Sequence, residues 1–456
     1  MRKDDELKGI SVIGLGKLGA PLAACFASKG YPTIGVDSNP DTVGAINQKR
    51  APLYEPGLRE LIQTSAGRLR ATDRYEEAIL HADATFIIVP TPSEAHGGFS
   101  LRYVLEAGER IGESLRKKAG YHLVVLTSTV MPGSTENELK PLLEKRSGKK
   151  CGPDFGLCYS PQFIALGSVI RDFLNPDFVL IGESDPVAGE SLSRLYKNLY
   201  DNNPRLVRMN FVNAELTKIS VNTFVTTKIS FANMLARICE RLPGADVDVV
   251  TSALGLDSRI GQKYLKGAVG YGGPCFPRDN LALSACARSV GTEATLAKAT
   301  DSFNRQEIKR LTELVKAKLP KKGRVAILGL AYKPHTDVVE ESQGFLLAKA
   351  LAEAGVSVVA YDPVAMAGAK RRLSRTKVTF ADSLANCIRQ ADIIVIATAW
   401  NEFRQVEQSL NSLDKGDAPR IVIDCWRLLD ASRFGHQVAY VPLGIGFPSL
   451  SDRVKK

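Results

Sequence analysis

The stretch Gly270-Tyr271-Gly272-Gly273-Pro274-Cys275-Phe276-Pro277-Arg278-Asp279 carries the strongest chemical signal in the chain. Glycines around Cys275 would let a substrate approach the sulfur closely, and a nearby cation would favour the thiolate, the nucleophilic form. Upstream, Lys218, Asn222, Val225 and Ile229 follow i, i+4, i+7, i+11 and so share one face of a predicted helix. A lysine and an asparagine on an otherwise apolar stripe are expensive to bury without partners, and a positioned ammonium can stabilise a developing oxyanion. The plainer readings are a cysteine that is a small core hydrophobe and a lysine that snorkels to solvent beside a solvated asparagine.

A second chemical signal opens the chain. Gly14-Leu15-Gly16-Lys17-Leu18-Gly19 follows an apolar strand pattern, precedes a helical one, and is followed 18 residues after Gly19 by Asp37 at the end of the next strand. That context turns a weak glycine pattern into a dinucleotide-binding fingerprint. Gly14 permits the tight turn, Gly16 lets a pyrophosphate approach the backbone, and Gly19 lets helix and strand pack closely. The helix N-terminus offers N–H groups and a positive dipole end to the phosphates. Asp37 can accept hydrogen bonds from ribose hydroxyls and would repel a 2′-phosphate, so the expected cofactor is NAD rather than NADP.

The elements that must hold these residues follow from the apolar patterning. Strand patterns at 9–13, 33–36, 84–89, 123–126 and 178–181 alternate with helical segments, which indicates a parallel sheet covered on both faces. From about 213 to 242 the pattern becomes one long helix without internal Gly or Pro, followed by more helical sequence up to the basic segment 316–324. Strand patterns return at 325–328, 357–361, 393–397 and 421–423. The expected fold class is α/β: two Rossmann-like, doubly wound domains over 1–203 and 302–456, joined by a central helical domain over 204–301. With 456 residues, 44% hydrophobic and 24% charged, the chain has the composition of a globular protein with large cores. The net charge of +11 suits nucleic acid, a membrane surface or a phosphorylated small ligand. No nucleic-acid-binding module is recognisable, and no apolar run approaches the 18 or so residues of a membrane span. Eight scattered cysteines without a CxxC pair, five isolated histidines and a charged N-terminus predict free thiols, no metal site and a cytoplasmic location.

Taken together, the residues resemble the UDP-glucose/GDP-mannose dehydrogenase family along nearly the whole chain. The resemblance rests on Gly14–Gly19, Tyr54-Glu55-Pro56-Gly57-Leu58, Val89-Pro90-Thr91-Pro92 and Ser128-Thr129-Val130. It continues through Asp172-Phe173 with Asn175-Pro176-Asp177, Ala214-Glu215-Leu216 with Lys218 and Asn222, Lys228-Ile229-Ser230-Phe231, and Arg259-Ile260-Gly261. The Cys275 loop, Gly329-Leu330-Ala331-Tyr332-Lys333-Pro334 with Thr336-Asp337, Tyr361-Asp362-Pro363, Trp400 with Glu402-Phe403, and Asp424 with Arg427 complete it.

The resemblance implies oxidation of a sugar C6 alcohol to a carboxylate in two hydride transfers to NAD. Cys275 would hold the C6 carbon first as a thiohemiacetal and then as a thioester. Lys218 and Asn222 would stabilise the C6 oxyanion, Asp279 would hold Lys218 or the catalytic water, and Thr129 would position that water. Lys17, Leu18, Pro90, Thr91 and Thr129 would border the cofactor. Phe163, Leu265, Gly272 and Tyr332 would line the substrate pocket, Tyr264 would lie against uridine, and Lys333 and Arg427 would contact the nucleotide. Arg259 would reach the sugar from a neighbouring subunit, which implies a homodimer or higher homo-oligomer. Two diphosphate ligands also give the positive charge a partner without nucleic acid. Cys-Phe-Pro-Arg-Asp is closest to the UDP-glucose members, which implies UDP-glucose and a role in polysaccharide biosynthesis. A dehydrogenase of another nucleotide sugar (a UDP-N-acetylhexosamine or GDP-mannose) and a nucleotide-sugar-binding relative with little turnover are the alternatives.

Three positions depart from the family pattern. The glutamate used in acid/base work and thioester hydrolysis is Gln162, within Ser160-Pro161-Gln162-Phe163-Ile164-Ala165-Leu166-Gly167, and a second glutamate is Leu166. Glutamine can hydrogen-bond but cannot take a proton. An arginine expected near cofactor phosphate is Glu340. Gln162 reads either as a subfamily variant with altered hydrolysis or substrate, or as a substitution that holds an intermediate.

Overall fold

The structure is a computed structural model that describes residues 7–411, 420–435 and 437–446. It forms two compact units, Met1–Ser220 with Ala285–Gly291, and Val221–Ser284 with Thr292–Lys456.

The first unit is built on eight strands: β1 Ile10–Ile13, β2 Thr33–Val36, β3 Leu69–Thr72, β4 Ala84–Ile87, β5 His122–Leu126, β6 Phe155–Tyr159, β7 Phe178–Glu183 and β8 Arg205–Met209. They lie in the order β3-β2-β1-β4-β5-β6-β7-β8. Every residue of β1, β2, β4, β5 and β6 is buried, which is why these strands read as unbroken apolar runs rather than alternating ones. The sheet is not wholly parallel as expected. β6 and β7 run antiparallel and meet only through Cys158↔Glu183 and Tyr159↔Gly182. Beyond them β8 pairs with β7 in parallel, so the expected boundary at 203/204 falls just ahead of a strand of this first sheet.

The second unit holds a six-stranded, all-parallel sheet: β9 Arg324–Leu328, β10 Ser357–Tyr361, β11 Val378–Phe380, β12 Ile393–Ile396, β13 Arg420–Asp424 and β14 Val438–Pro442. Its order is β11-β10-β9-β12-β13-β14. In both sheets the first strand is the one beside which the winding direction reverses, the place where ligands bind in open α/β sheets.

Between the sheets in sequence lies a helical region, with the 29-residue helix Phe211–Cys239, then Val247–Leu256, Phe276–Ser289 and Thr295–Lys318. The long helix ends ahead of Pro243 and Gly244, the latter at φ +80°, which the sequence pattern placed a few residues later. The expected boundary at 301/302 lies inside the helix Thr295–Lys318. None of the eight cysteines, all among the described residues, is in a disulfide. Among the described residues no helix is long and apolar enough to cross a membrane, and no group of three His, Cys, Asp or Glu side chains could hold a metal ion.

Candidate active site

The turn after β1 has the form its glycines foretold. Gly14 adopts φ +91°, and a Cβ there would lie 2.3 Å from the Ile88 carbonyl oxygen. A Cβ on Gly19, the first residue of the helix Gly19–Ser28, would lie 1.8 Å from the Gly14 carbonyl oxygen, so only glycine lets this helix start against this strand. A Cβ on Gly16 would meet nothing, which leaves that peptide open to a ligand. Asp37 is half-buried; its Oδ2 accepts from the Leu15 N–H at 2.7 Å and its Oδ1 from the Asn39 N–H at 2.8 Å. A carboxylate has about four lone-pair sites, so two remain for ribose hydroxyls. These residues fit a dinucleotide. Lys17 and Pro90 are exposed and Leu18 half-buried around the same turn. Thr91 donates from Oγ1 to the Thr129 carbonyl at 2.7 Å, which fixes the Thr129 backbone.

Gln162 and Lys218 meet within the first unit. The buried Lys218 ammonium donates to the Gln162 backbone carbonyl at 2.7 Å and stands 4.6 Å from the centre of the Phe163 ring. That gives the buried cation a carbonyl and an aromatic face. Phe163 is itself packed 4.7 Å from the ring of Phe178. The buried Glu55 holds the same segment by accepting from the Gly167 and Val169 N–H groups, each at 2.8 Å. Leu166 packs against the apolar core of this unit and supplies no carboxylate.

One turn before Lys218, Glu215 is fully buried, and no separate role was predicted for it. It accepts from the Gly133 N–H at 2.6 Å and from the N–H and hydroxyl of Thr135 at 2.9 and 2.6 Å. Burial raises its carboxyl above the ordinary range despite these bonds.

In the second unit Cys275 is exposed and stands immediately before the first residue of the 14-residue helix Phe276–Ser289. Its carbonyl accepts from the Asp279 N–H at 2.9 Å, closing the first turn. Asp279 is buried, and its Oδ2 accepts from the Asn222 amide at 2.6 Å, so these two predicted site residues are brought together. The neighbouring glycines lie close against the protein's own chain. A Cβ on Gly272 would lie 2.2 Å from the Glu341 carbonyl oxygen and one on Gly273 would lie 2.8 Å from the Tyr332 ring. The Gly273 N–H also donates to the Glu340 carbonyl at 3.0 Å. These glycines let the protein's own chain approach the loop closely.

The remaining expected binding residues differ in availability. Arg259 is almost fully exposed, with its guanidinium on Asp257, and the Lys228 ammonium donates to the carbonyls of Ile260 and Gly261 just beyond it. Tyr264 is half-exposed at φ +66°, edge-on to Phe276, while Leu265 is buried. Tyr332 and Lys333 are half-buried, and Glu340 is exposed. Arg427 already has partners within its own unit. Its guanidinium forms a two-point pair with Asp248, at 2.8 Å on each arm, and donates to the Leu443 and Gly267 carbonyls at 2.7 and 2.5 Å. It is committed to an internal clasp because Asp248, half-exposed and also bound by Lys266 at 2.9 Å, supplies a planar partner of matching shape.

Sequence reasoning also missed Asn233, Asn304 and Gln343, buried carboxamides around the Cys275 loop. A signal for Asn304 existed: the buried face of its helix runs Ala297, Thr300, Asn304, Glu307, Leu311, Val315, a core stripe interrupted by polar groups.

The chain matches all three parts of the UDP-glucose/GDP-mannose dehydrogenase family: the NAD binding domain over residues 8–200, the central domain over 212–306 and the UDP binding domain over 326–431. It is 40% identical over 424 residues to the UDP-glucose 6-dehydrogenase AglM of Haloferax volcanii, covering 92% of this chain and 97% of that protein. To the GDP-mannose 6-dehydrogenase of Pseudomonas putida it is 35% identical, covering 87% of this chain and 92% of that one. The solved structure of a UDP-glucose dehydrogenase from Pyrobaculum islandicum superposes with a TM-score of 0.87 at 34% identity, over 98% of this chain and 100% of that one. The UDP-D-ManNAc dehydrogenase of Pyrococcus horikoshii gives a TM-score of 0.80 at 26% identity, over 96% and 99%.

Proposed function

The chain belongs to the UDP-glucose/GDP-mannose dehydrogenase family and is an NAD-dependent nucleotide-sugar 6-dehydrogenase; from that premise we propose that it oxidises UDP-glucose to UDP-glucuronate through a thioester on Cys275. The observation that carries the reading is an exposed Cys275 at the start of a helix, in a chain that matches all three parts of the family over residues 8–200, 212–306 and 326–431. The partial positive charge of a helix N-terminus favours the thiolate. The choice of UDP-glucose is supported by the 40% identical Haloferax protein, while a GDP-mannose enzyme at 35% keeps that sugar as the second reading.

The Gly14–Gly19 turn and Asp37 would hold NAD, which would supply the hydride acceptor for both oxidations. The chain's own residues do the rest. The Cys275 thiolate adds to the C6 aldehyde, and the resulting oxyanion is held by the Lys218 ammonium and the Asn222 amide until it becomes a thiohemiacetal. Oxidation leaves the thioester. A water placed by the Thr129 backbone attacks it, and the sulfur leaves as thiolate. Asp279 orients the Asn222 amide, and its carboxylate keeps the surroundings of that amide polar. The Gln162 side chain cannot deprotonate the water, while its backbone carbonyl, which any residue at this position would supply, holds the Lys218 ammonium. General-base assistance is commonly worth about 10²–10⁴-fold, so hydrolysis becomes the slow step and a burst of NADH precedes steady turnover.

Intact-protein mass spectrometry after mixing with UDP-glucose and NAD tests this directly. A sugar-nucleotide adduct on Cys275 that vanishes in Gln162→Glu, together with faster steady turnover, is the expected result. Rapid turnover of the unaltered protein with no adduct would mean that another group is the base. Cys275→Ala is expected to abolish acid formation and leave nucleotide-sugar binding in place; undiminished acid formation removes the covalent route.

The active form we propose is a homodimer. Phe224, Phe231 and Ile238 recur every seven residues along the long helix and are exposed, as are Leu242, Val249 and Leu256 nearby. A second copy of this helix would bury that seam, and the exposed Arg259 would then reach the partner's sugar. Light scattering on Phe231→Glu should find a monomer, and an unchanged mass would place the dimer contact elsewhere.

A further inference from the structure

We infer that Asn304, acting with Asn233 and Gln343, is a positioning residue that fixes the path of the chain into Cys275. The inference rests on the reading of Cys275 as the nucleophile.

The segment from Ala268 to Cys275 has no regular secondary structure, yet Ala268, Val269 and Tyr271 are buried. Buried backbone N–H and C=O groups must find partners. Here the partners are side-chain carboxamides. Asn233, on the long helix, accepts from the Ala268 N–H at 2.7 Å and donates to the Val269 carbonyl at 2.9 Å. Asn304, on the helix Thr295–Lys318, accepts from the Tyr271 N–H at 2.8 Å and donates to the carbonyl of the same residue at 3.0 Å.

Each amide offers one donor and one acceptor in a plane, as the edge of a neighbouring strand would. Two asparagines therefore replace a strand that the fold does not supply. Gln343, the first residue of the helix Gln343–Glu353, adds a bond from Nε2 to the Tyr271 carbonyl at 3.2 Å. Asn280, one residue past Asp279, donates to the Tyr271 hydroxyl at 3.2 Å.

The glycine between the clamps follows from them. A Cβ on Gly270 would lie 2.4 Å from Asn304 Oδ1 and 2.8 Å from Gln343 Oε1. Four residues after Tyr271 comes Cys275, with the Gly273 N–H pinned to the Glu340 carbonyl on the way. A carboxamide is a costly group to bury as mere filler. Its use here, twice, on successive parts of one loop, is accounted for by the need to set the sulfur in place. Misplacing a reacting group by about 1 Å can cost about 10²-fold in rate.

Asn304→Asp is the sharpest test, because it keeps the shape and the acceptor for the Tyr271 N–H but turns the donor into an oxygen facing a carbonyl. We expect kcat to fall about 10- to 100-fold with the KM for UDP-glucose and for NAD changed less than about threefold. The pH profile of Cys275 alkylation by iodoacetamide, read by peptide mass spectrometry, should shift from that of the unaltered protein. An unchanged kcat and an unchanged alkylation profile would overturn the inference, whatever happens to the melting temperature. If Asn304→Asp does not fold, Gln343→Met, which removes one donor at similar volume, is read in the same way, with a smaller loss expected and no change overturning the inference. Alkylating Cys275 in the unaltered protein separates the two readings. If acid formation survives it, the covalent role of Cys275 fails, whereas a normal loss on alkylation with an unmoved Asn304→Asp profile rejects the positioning role alone.

Discussion

Gly14, Gly19 and Asp37 around the first sheet have counterparts in Gly329, Gly344 and Asp362 around the second. Gly14 and Gly329 both follow the first strand at positive φ, +91° and +100°. A Cβ on Gly19 would lie 1.8 Å from the Gly14 carbonyl oxygen, and one on Gly344 would lie 2.0 Å from that of Gly329. Each acid stands 18 residues after the second of its glycines, and each accepts from the residue after the first: Leu15 at 2.7 Å, Leu330 at 2.8 Å. The difference lies in what is between the glycines. Gly14 and Gly19 are five residues apart, Gly329 and Gly344 fifteen. In the first case the chain turns straight into the helix and leaves its N-terminus open. In the second, the extra residues, among them Tyr332 and Glu340, turn away to pack on the Cys275 loop.

The acids differ to match. Asp37 is half-buried with two donors, whereas Asp362 is buried and accepts from the N–H groups of Leu330, Ala331, Val364 and Ala365 and from the Trp400 indole. The crevices differ too. After β4, Val89 donates to the Ser128 hydroxyl and Thr91 bonds to Thr129, both turned toward β5. After β12, Thr398 reaches back to the Ala331 carbonyl at 2.8 Å and Trp400 to Asp362. The first frame thus leaves its acid two acceptor sites beside the crevice, whereas in the second the side chains after β12 bond back to the turn and to its acid.

Exchanging the acids for alanine should break that comparison most visibly. Asp362→Ala strands five donors, four of them backbone. At roughly 1–3 kcal/mol for each unsatisfied group, partly relieved by water, the loss is on the order of 5 kcal/mol, and urea unfolding should show the second unit unfolded or nearly so. Asp37→Ala should cost about 1 kcal/mol of stability but raise the KM for NAD and erode the preference for NAD over NADP in kcat/KM. Equal stability losses at the two sites would show that Asp37, like Asp362, is a structural acid.

The glycines sharpen the same point at smaller amplitude. Gly19→Ala and Gly344→Ala both push a methyl into a carbonyl oxygen and should each cost about 1–3 kcal/mol, the scale of overpacking in a tight contact. Gly16→Ala meets nothing and should leave the melting temperature unchanged while weakening NAD binding. A large stability loss at Gly16, or none at Gly344, would contradict the assignment of one glycine to ligand and the other to packing.

Legibility in the sequence follows the same division. The first frame could be recognised because its glycines and acid are contiguous enough to form a pattern, and each glycine does what the pattern says. The second Rossmann-like domain was legible from its strand pattern, but the pairing of Gly329 with Gly344 was not, because a fifteen-residue gap hides it from any local reading. β8 escaped notice because none of its residues is buried, and β11 because it has three residues. The long helix was plain from its uninterrupted pattern. The site residues divide likewise. Asn222 and Asp279 were named from helix spacing and from the cysteine loop, and they do meet. Arg427 was expected at the nucleotide on the strength of the family resemblance alone; its bonds to Asp248, far away in sequence, leave no trace in that pattern. Asn304 was legible only as a polar break in the core stripe of its helix; its partners are backbone groups, which residue types do not show.

The smallest effect concerns pH, where the two units should respond with opposite sign. In the first, burial lifts the Glu215 carboxyl above the ordinary range, against the bonds from Thr135 and Gly133. The folded chain then holds that proton more tightly than the unfolded one, so this residue's contribution is full below the ordinary glutamate range and is lost as pH rises through the raised value. In the second, partial burial of Asp248 is outweighed by Arg427 and Lys266, and its carboxyl lies below the ordinary range. Its contribution is present above the ordinary aspartate range and is lost as pH falls through the lowered value. Urea unfolding free energies from the acid side to neutrality should therefore lose a falling component in Glu215→Gln and a rising component in Asp248→Asn. Both changes should be smaller than those at Asp362 or Gly344, and the Asp248 change should shrink further in high salt, because that group is partly exposed and screened. A rising component lost in both variants would show that Glu215, like Asp248, is held charged in the folded protein, and that its bonds to Thr135 and Gly133 outweigh its burial.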